Sequence, residues 1–254
     1  MPLTYNILFT IIIFLYGIVV GSFLNVLIYR IPKHENIATK RSHCMECGYQ
    51  LKWYDLIPLF SYLFLRGRCR KCGARISVQY PVIEAVNGIL WVLTFLKYGL
   101  SIETLLYCLL FSALLALSVI DFRTYEIPVG FNIFILVLGV VRVATDYRNW
   151  LQYLIGLVSV SLFLFAIFAI SKGRGIGGGD VKLMAVTGLL LGWKLNLLGF
   201  VIGCILGSVI HIIRMRVSKE GRTLAMGPYL SLGVAISVFF GDFIVNWYMS
   251  FFTA

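Results

Sequence analysis

A series of long apolar segments, separated by short polar connections, constrains this chain more than any other feature. Met1 to Tyr29 contains no charged side chain, and seven further apolar segments follow. About 20 helical residues cross the hydrocarbon core of a bilayer, so each segment is long enough, or nearly so, to span it. The segments cover 6–29, 80–97, 102–120, 127–145, 149–171, 181–194, 195–213 and 227–249. They predict an all-α polytopic membrane protein with about eight transmembrane helices, of which 181–194 is the weakest.

Composition excludes an ordinary soluble domain. Hydrophobic residues make up 60% of the chain and charged residues 13%, about half the charged share of globular proteins, which is about 25%. The first apolar segment lacks the basic region and the small-residue cleavage site of a signal peptide. We therefore expect residues 1–29 to be a retained first transmembrane helix.

The basic residues are distributed unevenly between the connections, and this distribution predicts orientation. Lys and Arg are retained on the cytoplasmic side of a membrane. Alternate connections carry 18 of the 22 basic residues, at 30–75, 123, 172–182 and 214–222. This places those connections in the cytoplasm and both termini outside, and an odd number of spans would remove the asymmetry. The net charge of +11 therefore reports membrane orientation, and no nucleic-acid partner is expected.

Residues 30–79 form the one sizeable polar piece of the chain. We interpret them as a cytoplasmic loop domain between the first helix and a seven-helix membrane core over 80–254. Within the loop, the stretch "LIPLFSYLFLRGR" at 56–68 is apolar but too short to span. It is either an interfacial, partly buried segment or a packed loop. After the loop, Glu84 could contact a substrate or pair with an arginine such as Arg75.

Four of the six cysteines lie in this loop, as two C-x2-C pairs. The pairs are Cys44 with Cys47 and Cys69 with Cys72, and a glycine follows each pair. Two pairs at this spacing are typical of a closed, tetrahedral, structural zinc site. Two disulfides or a redox pair are the alternatives, and a cytoplasmic location disfavours disulfides.

Two aspartates lie at the ends of apolar segments that meet the same predicted face of the membrane. Asp121 ends the third segment and Asp180 opens the sixth. Ionisable residues at such positions are candidates for function. Two adjacent carboxylates can share one proton, so that one activates water while the other polarises an amide carbonyl. The alternative is a pair of helix-end residues. Asp180 could cap a helix N-terminus in this way, whereas Asp121 could not, because it lies near a helix C-terminus, where a negative charge is disfavoured.

Close packing of helices is predicted by two small-residue pairs. Gly17 and Gly21 lie four residues apart in the first segment, and Gly203 and Gly207 repeat this spacing in the seventh. Such pairs let helix backbones approach one another closely.

Five motifs in order resemble those of type IV prepilin peptidases, over nearly the whole chain. They are the two C-x2-C pairs together with "GSFLNVLIYRIP" at 21–32, "SVIDFRTYEIP" at 118–128, "GGGDVKL" at 177–183 and "AMGPYL" at 225–230. The resemblance implies an aspartic membrane protease of the GxGD type, with Asp121 and Asp180 as its catalytic pair. Gly177 and Gly179 are then the glycines of GxGD, in an active-site loop that includes Gly178 and Lys182.

The resemblance also implies a substrate and a second reaction. The family removes the short basic leader of prepilins or pseudopilins at the cytoplasmic face of the bacterial inner membrane, cutting after a glycine. Many members then methylate the new N-terminus with S-adenosylmethionine, and the cysteine-bearing loop is characteristic of these bifunctional members. The sequence contains no glycine-rich signature for the methyl donor, so no residue is assigned to it. A peptidase that has lost methylation and a zinc-bearing transporter with a carboxylate relay are the alternatives.

Overall fold

The computed structural model describes residues 3–37, 39, 41–218 and 224–253. Three basic residues counted in the charge distribution, Lys40, Lys219 and Arg222, lie outside this part of the chain. The described residues fold into helices joined by short connections, with two isolated β-bridges. The chain divides into two compact units, residues 1–116 and 117–254, and the division falls within a helix.

Nine α-helices are present in the described ranges. They are α1 Leu3–Arg30, α2 Phe60–Phe64, α3 Gln79–Tyr98, α4 Ile102–Thr124, α5 Val129–Thr145, α6 Trp150–Ile170, α7 Gly178–Leu191, α8 Trp193–Ser218 and α9 Gly227–Thr253. Short 3-10 helices cover Ile31–Lys33, Trp53–Leu56 and Tyr147–Asn149.

All eight apolar segments are helical, which confirms the all-α membrane fold. Six of the described helices, α1, α3, α4, α6, α8 and α9, are long and apolar enough to cross a membrane, and α5 is a shorter apolar helix. The helix at the weakest segment, α7, has 14 residues and is therefore about 21 Å long, less than the roughly 30 Å of a hydrocarbon core. The count of eight spans stays a prediction.

In the first unit, α1 and α3 pack through the predicted glycine pair. A Cβ atom added at Gly17 would lie 2.8 Å from the Cα of Gly88, and one at Gly21 would lie 2.8 Å from the Cα of Glu84. The Asn87 side chain uses this close approach to donate a hydrogen bond of 2.7 Å to the carbonyl of Gly17. A bond between buried polar groups fixes the register of the two helices.

In the second unit, two further pairs of helices approach closely at a glycine. A Cβ at Gly156 of α6 would collide with the carbonyl oxygen of Gly188 in α7, and one at Gly203 of α8 would lie 3.0 Å from the Cα of Leu230 in α9. The buried side chain of Asn196 donates to the Met184 carbonyl at 3.0 Å. The contacts at Gly188 and Met184 hold α7 against α6 and α8.

Candidate active site

Asp121 lies in the last turn of α4, and its side chain contacts the N-terminus of α9, a helix that is distant in the sequence. The side chain is buried, with 4% of its surface exposed. The C-terminus of its own helix disfavours a negative charge. The backbone N–H of Gly227, the first residue of α9, donates a hydrogen bond of 2.9 Å to Oδ2 of Asp121. Asp121 therefore caps the N-terminus of α9, which is a helix-end role that its position in the sequence did not indicate.

Asp180 lies in the first turn of α7, but it does not occupy the N-cap position. Gly177 is the N-cap, with extended backbone angles of φ −70° and ψ 138°. Its carbonyl accepts a hydrogen bond of 3.1 Å from the N–H of Asp180. The Asp180 side chain is half-buried, and its charge lies at the positive end of α7.

A left-handed turn separates α6 from the glycine loop. α6 ends at Ile170, and Lys172 and Gly173 then have φ values of +51° and +75°. Glycine adopts such angles without steric cost. The turn ends the helix before the chain reaches Gly177.

The three consecutive glycines have different surroundings. A Cβ at Gly177 would lie 3.1 Å from Oδ2 of Asp180, and one at Gly179 would lie 3.0 Å from the Cβ of Ile127. A Cβ at Gly178 would meet only the Phe168 ring, at an ordinary contact distance of 3.7 Å. A side chain would therefore be crowded at the two glycines of GxGD and not at the one between them.

One cavity brings the predicted active-site residues together. Its volume is about 310 Å³, within the range of small-molecule and peptide side-chain sites. Both aspartates, all three glycines and the exposed Lys182 line it. Two carboxylates that share a cavity at the ends of α4 and α7 can bind and activate a water molecule between them.

The cavity also contains residues that the sequence reasoning missed. They are Tyr125, Glu126, Ile127 and Val129. Tyr125 has φ +57°, and its N–H donates to the Asp121 carbonyl at 2.8 Å, so the chain turns immediately after α4. This turn exposes Glu126 at the cavity. The signal available in the sequence was their place in the stretch "SVIDFRTYEIP", beside Asp121.

The four loop cysteines form a second constellation, in the first unit. Each C-x2-C pair lies in a tight hairpin that closes with an N–H to carbonyl bond of 2.9 Å, Gly48 to Cys44 and Gly73 to Cys69. Both glycines have positive φ, +67° and +72°. The matching hairpins direct all four side chains to one point.

The sulfur geometry fits a tetrahedral metal ion. The four Sγ atoms lie within 4.8 Å of one another, with 3.9 Å between Cys44 and Cys72 and 4.0 Å between Cys47 and Cys69. Four zinc–sulfur bonds of about 2.3 Å at tetrahedral angles give sulfur separations of about 3.8 Å. All six cysteines are free thiols, so these four could hold a zinc ion.

Local hydrogen bonds prepare one of these thiols for metal binding. The backbone N–H groups of Cys72 and Lys71 lower the pKa of Cys69 to about 6, whereas the neighbouring thiols raise the pKa of Cys72 against the opposing N–H of Ala74. A depressed pKa favours the thiolate, which is the form that binds zinc.

Comparisons with known proteins agree with this architecture. A model of the bacterial peptidase A24 N-terminal domain matches residues 15–98, and a model of the type IV leader peptidase family matches residues 108–212. The first match includes the cysteine loop, and the second includes both aspartates.

Curated relatives match over nearly the full chain. A Bacillus subtilis (strain 168) protein named prepilin leader peptidase/N-methyltransferase is 34% identical over 94% of this chain and 97% of its own length. A Pseudomonas putida protein of the same name is 31% identical over 89% of this chain and 88% of its own. A comparison with solved structures gives no significant match. The cavity, the cysteine cluster and these matches together show that the chain belongs to the type IV leader peptidase family.

Proposed function

We propose that this protein cleaves the leader peptide from type IV prepilins or pseudopilins with Asp121 and Asp180 as its catalytic pair. The observation that carries the proposal is that both carboxylates line one cavity, at the adjoining ends of α4 and α7. Family membership supports the substrate class, and the relatives' shared name supports both peptidase and N-methyltransferase activity.

The surroundings of the two carboxylates support different roles for them. Asp121 accepts the Gly227 N–H, and a backbone donor stabilises an ionised carboxylate. We assign Asp121 as the general base and Asp180 as the protonated partner. Two neighbouring carboxylates cannot both remain ionised at low cost, so one proton is shared by the pair.

Hydrolysis can proceed with Asp121 ionised and Asp180 protonated at the start. Asp121 takes a proton from the bound water, whose oxygen attacks the scissile carbonyl while Asp180 gives its proton to the carbonyl oxygen. As the tetrahedral intermediate collapses, the C–N bond breaks and Asp121 passes its proton to the leaving amine. One of the two hydroxyl groups on the former carbonyl carbon gives its proton to Asp180 as the new carboxyl group forms. Asp121 is then ionised and Asp180 protonated again.

The glycine loop provides room for the substrate backbone. Gly177 and Gly179 leave both the Asp180 carboxylate and the Ile127 side chain uncovered. An extended peptide can therefore approach the carboxylates more closely than side chains at these positions would allow. Lys182, exposed at the cavity, either binds the substrate carbonyl or extends to the lipid interface.

Orientation and cofactors complete the proposal. The charge distribution supports a bacterial inner-membrane location with both termini outside and the cavity and cysteine loop in the cytoplasm. Cys44, Cys47, Cys69 and Cys72 would hold a structural zinc ion with no open coordination position. S-adenosylmethionine would supply the methyl group for the new N-terminus.

Transport gains no support as an alternative. A carboxylate relay would need ionisable groups along a path through the membrane. Here the two aspartates share one cavity at helix ends, and the relatives carry a peptidase name.

Cleavage of a prepilin peptide by purified protein in lipid nanodiscs tests the proposal. Asp121→Asn and Asp180→Asn should each abolish cleavage and leave the thermal unfolding cooperative. Asp146→Asn, the same chemical change at a loop outside the cavity, should retain it. Cleavage by either active-site variant would contradict the dyad. Labelled S-adenosylmethionine in the same reaction distinguishes a bifunctional enzyme from a peptidase alone.

A further inference from the structure

The loop between the two cysteine hairpins presents an unusual concentration of exposed apolar side chains. We define residues 53–66 as the apolar tip. Trp53, Leu63 and Phe64 are 78%, 69% and 83% exposed. Three more large apolar side chains of the tip are also exposed, those of Leu56, Ile57 and Phe60. A surface of this kind marks a site of contact with a partner or a membrane.

The tip is held in a defined conformation from both sides. Near its start, the buried Asp55 carboxylate accepts a hydrogen bond of 2.7 Å from Arg70 in the second cysteine hairpin. After its end, the Gly67 carbonyl accepts a bond of 2.8 Å from Ile76. The apolar side chains are therefore exposed by an ordered fold, because the cysteine hairpins fix both of its ends.

A further hydrogen bond connects the tip to the predicted membrane helix α3. The N–H of Leu59 donates 2.8 Å to Oε2 of Glu84, whose side chain is buried in α3. Leu59 itself has φ +60°, an angle that L-residues rarely adopt unless their surroundings hold them there. Glu84 thus accepts a hydrogen bond from this loop amide, a contact that the sequence did not indicate.

The position of Glu84 along α3 indicates how deep in the membrane the Glu84–Leu59 hydrogen bond lies. α3 has 20 residues, about 30 Å at 1.5 Å per residue, which equals the thickness of the hydrocarbon core. Glu84 is five residues after the first residue of α3, so it lies about 7.5 Å from that end. Because α3 needs its whole length to cross, Glu84 lies just inside the boundary between headgroups and acyl chains, and Leu59 lies within one hydrogen bond of it.

We propose that the apolar tip docks into the lipid surface of the protein's own membrane. Exposed aromatic and aliphatic side chains suit the headgroup–acyl boundary. The tip also begins and ends beside exposed cations, Lys52, Arg66 and Arg68, which complement anionic headgroups. The alternative interpretation of this stretch as a packed loop does not account for its exposed residues. Docking would hold the cysteine hairpins against the membrane surface.

Photocrosslinking to lipid tests this directly. Benzoylphenylalanine is incorporated at Phe64, at Gln50 as a matched exposed position in the same loop, and at Ile89 on the exposed apolar face of α3. The full-length protein is placed in nanodiscs of phosphatidylglycerol and phosphatidylethanolamine, irradiated and analysed by peptide mass spectrometry. Phe64 and Gln50 are exposed, so neither replacement disturbs packing.

The proposal requires phospholipid adducts at positions 64 and 89 and at least tenfold fewer at position 50. If position 89 forms lipid adducts and position 64 does not, the tip lies outside the membrane. If position 64 crosslinks only to a second copy of the chain, the surface is a protein contact. Either of these two results overturns the proposal. Cleavage activity is not part of the readout, so the outcome is independent of the proposed function.

Discussion

The backbone N–H of Gly227 donates a hydrogen bond of 2.9 Å to Oδ2 of Asp121, across 106 positions of the chain. The bond joins the end of α4 to the start of α9. It satisfies an N–H that has no partner within α9 and stabilises a carboxylate that α4 alone disfavours. The contact is close enough that a Cβ at position 227 would lie 2.7 Å from the same oxygen.

Gly227→Ala should therefore damage the site without unfolding the protein. The added methyl group displaces the Asp121 carboxylate, and misplacement of a reacting group by about 1 Å costs on the order of 100-fold in rate. We expect kcat/KM for prepilin peptide cleavage to fall by this order. Gly130→Ala is the matched control, because a Cβ there meets no atom within 4 Å. Equal activity in both variants would refute the positioning role.

The glycine loop allows a comparison between adjacent positions. Gly179→Ala forces a contact of 3.0 Å with Ile127, whereas Gly178→Ala makes only an ordinary contact with Phe168. We expect the Gly179 variant to lose about 10- to 100-fold in kcat/KM, because the first turn of α7 must shift. The Gly178 variant should stay within about threefold of the parent, since alanine favours helix. Steady-state cleavage assays measure both, and the opposite order would be inconsistent with this packing.

Glu126 gives the cavity a third carboxylate, beside a single lysine. If the substrate leader is basic, this exposed side chain contributes to its binding. Glu126→Gln should raise KM about fivefold, corresponding to about 1 kcal/mol for an exposed ion pair, and leave kcat nearly unchanged. A peptide whose leader lysines are replaced by glutamine should not distinguish the variant from the parent. A fall in kcat with unchanged KM would exclude this role.

The cysteine cluster predicts a metal content. Cys44→Ser combined with Cys72→Ser should reduce bound zinc from about one ion per chain to near zero, since removal of two of four ligands leaves an incomplete site. Mass spectrometry of the metal measures this, and limited proteolysis should show faster cutting within 30–79. Cys204→Ser, outside the cluster, is the control and should retain the metal. Parent protein without metal would contradict the assignment.

A carboxylate outside the membrane segments predicts a pH dependence of stability. The hydroxyl of the buried Tyr153 donates a hydrogen bond of 2.6 Å to Asp146, and this bond lowers the pKa of Asp146 below its ordinary value. A depressed carboxyl pKa stabilises the fold above the unfolded-state pKa, which is about 3.9, and the contribution is lost as the pH falls through the folded-state value.

Tyr153→Phe should consequently lower the melting temperature by a few degrees at pH 7, and the difference from the parent should shrink below about pH 4. Thermal unfolding in detergent at several pH values measures this. Tyr147→Phe removes an exposed hydroxyl nearby and should change little at any pH. A difference for Tyr153→Phe that is constant from pH 7 to pH 3 would show that the bond does not depend on ionisation of Asp146.

The amino-acid sequence by itself determined the elements and their chemistry. An uncharged run such as residues 6–29 indicates a membrane helix, because it has the length of a helical span and a helix satisfies its own backbone groups in lipid. The spacing of Cys44, Cys47, Cys69 and Cys72 predicted a cluster, because two residues between thiols place both beside one ion. These patterns involve residues that are close together in the sequence. They can therefore be recognised without knowledge of contacts between distant residues.

Only the tertiary structure decided which distant groups meet. The sequence could not pair Asp121 with the N–H of Gly227, or Glu84 with the N–H of Leu59, because a backbone donor carries no side-chain signature. The GxGD pattern distinguished Gly177 and Gly179 from Gly178, but only the structure shows the difference in their surroundings, which are crowded at the first two and open to an ordinary contact at the third. These relationships depend on how helices pack, and packing is fixed by many contacts between residues far apart in the chain.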